Sequence, residues 1–103
     1  MMEARFEKML DQLEDELSGA QEYTKCASAT KVDMPELSDM YMRMANQEME
    51  HATHLHNAID KLVNHFTGHE VSHEIHAIWD WQNERFIRWA DKIRTHMEMA
   101  RKR

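Results

Sequence analysis

The chain has 103 residues, 42% hydrophobic and 31% charged, with 2 Gly, 1 Pro and 1 Cys. That length excludes a two-domain enzyme, an α/β barrel and a doubly wound nucleotide-binding fold, and so few turn residues exclude a β sandwich. The formal net charge of −6 argues against nucleic acid or an anionic membrane as partner, and the lone Cys excludes a disulfide framework or a Cys-rich metal site.

Helical periodicity predicts three long helices, at about 3–30, 35–66 and 70–101. The first has an apolar stripe through Met9, Leu13, Ala20, Tyr23 and Ala27, flanked by Phe6, Leu10 and Leu17. The Lys31-Val32-Asp33-Met34-Pro35 stretch breaks it, with Asp33 the expected cap of the next helix and Pro35 tolerated in its first turn. The second stripe is Leu37, Tyr41, Met44, Glu48, His51, Leu55, Ala58 and Leu62, and Gly68 is placed to end that helix. The third helix carries Ile75, Trp79, Phe86 and Ile93 on one side and Ile78 and Trp81 on another, the latter expected to meet a second chain. Its Arg101-Lys102-Arg103 end suits the negative pole of a helix dipole. The expected fold is therefore all-α: an antiparallel helical hairpin plus a third long helix in one domain. No apolar run approaches a membrane span, the Met1-Met2-Glu3-Ala4-Arg5 opening does not read as a signal peptide, and a cytoplasmic setting is expected.

Glu48 and His51 stand out because they lie inside an apolar stripe, between Met44 and Leu55. Residues three apart on a helix face the same way, so a carboxylate and an imidazole are presented together toward the core. Burying an unpaired carboxylate costs several kcal/mol by order of magnitude, and a bound cation offsets that cost. Glu16 lies on the matching side of the first helix. With the hairpin turn near residue 32, Glu16 and Glu48 are equally far from it and meet at one level.

The segments Glu16-Leu17-Ser18-Gly19-Ala20-Gln21-Glu22-Tyr23 and Glu48-Met49-Glu50-His51-Ala52 resemble the first half of a rubrerythrin-type, ferritin-like diiron protein. The family pattern is a bridging Glu, a Tyr seven residues on, and then a Glu-x-x-His helix; the resemblance covers roughly residues 6 to 63. It implies Glu16, Glu48 and His51 as metal and catalytic residues, with Tyr23 and His54 as candidates to support them. A full ferritin-like bundle draws a second Glu and a second Glu-x-x-His from later helices. This chain has none after residue 66, where Glu74 is followed by Ala77 and Glu84 by Ile87, and Gln82 takes the register position. One chain thus holds half a site, and a homodimer would complete a four-helix bundle, as encapsulated ferritins do between short subunits. Carboxylate-rich ligation with one His per metal suits iron, two ions per site, with manganese the alternative. The implied activity is ferroxidase-type oxidation of Fe(II) by oxygen or peroxide, since one Cys cannot build the electron-delivering iron domain of typical rubrerythrins.

Two other readings compete. His69-Glu70-Val71-Ser72-His73 matches the H-E-x-x-H zinc metalloprotease motif, although it sits at a helix start with no strand to bind a peptide. Alternatively the protein is a non-catalytic helical adaptor in which Glu48 and His51 pair with Arg43 or Lys25. The row His69, His73, His76, Asp80, Glu84 is either a solvated polar face or a weak cation site. Glu22 and Glu50, like His56, His65 and His96, are expected at the surface. Cys26 reads as a small core residue, Met40, Met42, Met44 and Met49 as packing, and the three Trp as core or interface anchors.

Overall fold

The computed structural model describes residues 2–64 and 73–102. Three α-helices account for almost all of them: α1 at Met2–Thr30, α2 at Pro35–Asn64 and α3 at His73–Arg101. No strand occurs among the described residues, so the all-α expectation holds. The expected start of the third helix and the Gly68 stop fall at residues 65–72, outside the described ones.

The break between α1 and α2 follows from backbone chemistry. The Met34 amide donates to the Thr30 carbonyl (2.8 Å), closing the end of α1, and the Ser38 amide donates to the Met34 carbonyl (3.0 Å), opening α2. Met34 is thus the N-cap and Pro35 the first helical residue, where its missing N–H costs no hydrogen bond. This corrects the assignment of the cap to Asp33: the turn runs one residue longer. Ser38 Oγ then donates to the Ala27 carbonyl at 2.6 Å, across the hairpin. Ala27 lies in the last turn of α1, where its carbonyl also accepts from Thr30 Oγ1 at 3.4 Å, so the Ser38 bond stitches α2 onto α1.

The core lies between the three helices. Phe6, Leu13, Leu17, Ala20 and Ala27 of α1 meet Ala45, Met49, Ala52, Ile59 and Val63 of α2 and Ile75, Trp79, Phe86, Ile93 and Met97 of α3. Contacts in chain order set the directions. Glu14–Arg85 and Gln21–Trp89 run parallel between α1 and α3, whereas Asp60–Trp79, His56–Asn83 and Asn46–Arg101 run antiparallel between α2 and α3. The result is a rod of 54 × 19 × 16 Å. None of its described helices is long and apolar enough to cross a membrane.

The buried row of α2 differs from the expected one. Ser38, Ala45, Met49, Ala52, Ile59 and Val63 are buried, whereas Leu37, Tyr41, Met44, Glu48, Leu55 and Leu62 are half-buried and His51 and Ala58 exposed. The buried row is the expected one moved by one residue, a turn of about 100° around the helix. The cause is that α2 carries two apolar rows side by side. The row with Ala45 and Ala52 faces inward, where short side chains let α1 and α2 approach closely and α3 lies over the seam, and the other row is left half-buried. His56, expected at the surface, is half-buried: its ring lies against Trp79 with centroids 5.3 Å apart, and Nε2 contacts the Asn83 amide oxygen.

Candidate metal centre

The open face of the hairpin holds the cluster read from the sequence. Glu16 on α1 and Glu48 and His51 on α2 bring one donor atom each to within 4.8 Å of one another. His51 Nδ1 lies 3.3 Å from Glu16 Oε2. Position follows from the fold: Glu16 is the central residue of α1, Glu48 and His51 bracket the centre of α2, and the antiparallel hairpin places both centres at one level. The expectation that these groups are hidden in the chain's own core is corrected. The His51 side chain is 61% exposed and that of Glu16 26% exposed, because α3 covers the opposite side of α2. Within one chain the three groups form a shallow, open patch.

Electrostatically the patch is an acid pair without a basic partner. No Lys or Arg among the described residues pairs with Glu16 or Glu48, and the one nitrogen group beside Glu16 is the His51 imidazole. Arg43 and Lys25 are exposed and make no contact with Glu48, so the pairing that an adaptor reading needs is not formed. Two carboxyls this close cannot both ionise freely. The Glu48 carboxyl is accordingly raised from 4.5 to about 7: it shares a hydrogen bond with Glu16, is partly dehydrated and feels the Glu16 charge, while His51 pulls the other way. Two carboxylate oxygens and one imidazole nitrogen from two facing helices are a donor set suited to iron or manganese.

The remaining candidates fall elsewhere. Tyr23 stands two turns from Glu16, and its ring stacks on Tyr41 with centroids 6.3 Å apart. No hydrogen bond joins its hydroxyl to Glu16 or Glu48, and it packs against the core. His54 is exposed and outside the cluster. Of the H-E-x-x-H motif only His73 is described, exposed at the first position of α3; His69 and Glu70 lie outside the described residues. His73, Asp80 and Glu84 are exposed and His76 half-buried, and among the described residues they form no group of converging ligands. Glu22, Glu50 and His96 are exposed as expected, and His65 lies outside the described residues. Trp79 is core, Trp89 is half-buried with Nε1 donating to Gln21 Oε1 at 3.0 Å, and Trp81 is 65% exposed. Cys26 is half-buried and unpaired. The sequence reading assigns no role to Gly19, yet this residue faces the cluster; a glycine inside a long helix was the available signal.

Comparison with protein-family models, with curated proteins and with solved structures finds no match to this chain.

Proposed function

We propose that this chain is half of a ferritin-like diiron protein, a homodimer that binds iron through Glu16, Glu48 and His51 and oxidises Fe(II) with oxygen or peroxide. The observation that carries the reading is the convergence of those three donors within 4.8 Å on the uncovered face of the hairpin. The surroundings support it. Tyr41 and Met44 are half-buried on the same row as Glu48, with Tyr23 stacked on Tyr41, an apolar margin that a second molecule would cover. The central position of the ligands favours self-association. A two-fold axis crossing the hairpin at that level overlays both copies along their full length and brings the two acid pairs together. Four carboxylates and two imidazoles would then face one another, a set sufficient for two metal ions.

The residues have distinct tasks in this scheme. Bound iron supplies the redox chemistry: Fe(II) gives up an electron and oxygen or peroxide receives it. Glu16 and Glu48 supply negative charge that favours the more highly charged ferric state. His51 adds a neutral donor, and its contact with Glu16 fixes the ring beside the carboxylate. The proton held by the acid pair leaves when a cation enters, because a ligating carboxylate must be ionised. The covered apolar margin would exclude bulk water from the pair.

Elemental analysis of aerobically purified protein, with light scattering for mass, tests the scheme. The expected result is a dimer with about one iron per chain, lost in Glu48→Ala. In Met44→Arg, a charge placed beside the cluster on the half-buried row should give a monomer with little iron. Metal content unchanged in Glu48→Ala, or a strict monomer without iron, would overturn the proposal.

A further inference from the structure

α1 is interrupted by one residue that a helix interior disfavours. Gly19 lies in its middle, where glycine is less favourable than alanine because it has more backbone freedom to lose. The backbone there is ordinary helix, so no special conformation requires it. What does require it is space. A Cβ built on Gly19 would lie 2.9 Å from Glu48 Oε2 and 3.3 Å from Glu48 Cδ. The glycine thus opens a notch in α1, and the carboxylate of Glu48 from α2 occupies it. Glu16 stands one turn earlier on the same helix, so the notch draws the two carboxyls together instead of letting Glu48 swing out to water.

We propose that Gly19 is the positioning residue of the cluster: its missing side chain seats the Glu48 carboxylate against α1 at the distance needed to share a cation with Glu16. The inference rests on the metal reading given above and extends it to a residue that is no ligand. Its physical content is an asymmetry. The atom that a new Cβ would strike is the far end of a flexible side chain, so the fold can yield by moving Glu48 alone. Gly19→Ala should therefore cost the fold nothing and displace a ligand.

Thermal unfolding titrated with Mn(II), on the full chain, separates these effects. Without metal, Gly19→Ala should melt at or above the wild-type temperature, by up to about 8 °C from the better helix former. With metal, the Mn(II) concentration that gives half the stabilising shift should rise about 10- to 100-fold, as for other residues that orient a ligand. Ser18→Ala, an exposed neighbour, is the control and should leave the Mn(II) response unchanged. A Mn(II) response in Gly19→Ala equal to wild type would overturn this inference and leave the metal reading standing. A wild-type protein indifferent to both Mn(II) and anaerobic Fe(II) would overturn both.

Discussion

Replacing Glu48 by Gln should stabilise the metal-free protein, although it removes a charge from a partly wet face. Glu16 and Glu48 hold oxygens within 4.8 Å, and among the described residues no Lys or Arg pairs with Glu48, which has only the His51 imidazole nearby to oppose the repulsion. Two like charges at that separation repel by about 0.9 kcal/mol even at the dielectric constant of water, and by more where solvent is thinned. Glutamine keeps the volume and drops the charge. The variant should gain about 1 kcal/mol at pH 8, a rise of roughly 4–8 °C in Tm for a domain of this size. The pH dependence has a definite sign. Folding raises the Glu48 carboxyl from 4.5 to about 7, so the native state holds this proton more tightly than the unfolded chain does. Wild-type stability from this proton is complete below the lower value and is lost as pH climbs through the upper one. Glu48→Gln should therefore match wild type near pH 4.5, overtake it between pH 4.5 and 7, and hold a constant lead above. Circular dichroism melts in chelator at four pH values measure this directly. Adding Mn(II) at pH 8 should invert the order, because the amide is the poorer ligand. A lead that is absent at pH 8, or just as large at pH 4.5, would refute the reasoning.

Two further predictions concern the frame that positions the cluster. Ser38→Ala removes the bond to the Ala27 carbonyl and should cost about 1 kcal/mol, read as a lower urea midpoint with unchanged slope. Trp79→Ala empties a site that is 1% exposed and should cost about 3–5 kcal/mol in the same assay. A loss below about 1 kcal/mol in the Trp79 variant would contradict the docking of α3 described above.

Much of this architecture was legible because the strongest local signals are also the ones that decide it. Pro35 and the polar stretch before it end one helix and start another, and the hairpin then fixes which residues share a level. That is why Glu16, Glu48 and His51 meet. The facing of α2 was not legible. Ranking residues by size and hydrophobicity favours the row of Leu37, Tyr41, Met44, Leu55 and Leu62, whereas packing favours the row in which Ala45 and Ala52 allow close approach. Periodicity cannot choose between two adjacent apolar rows; the packing of all three helices does. His56 was misread for a related reason, since an imidazole that spends its nitrogen on Asn83 and its ring on Trp79 looks in sequence like any surface histidine. What Gly19 faces is a side chain of another helix, which periodicity does not reveal.

The twin rows of α2 give α3 a role larger than filling the interior. Glu48 and Met49 are consecutive yet point to different flanks, so whichever row α3 grips decides what the hairpin offers outward. A bare hairpin would have two comparable greasy flanks and could pair with a second copy through either. By covering the alanine-lined flank, α3 leaves the acidic flank facing outward, while its own outer side carries a second exposed apolar strip of Ile78, Trp81 and Ile87.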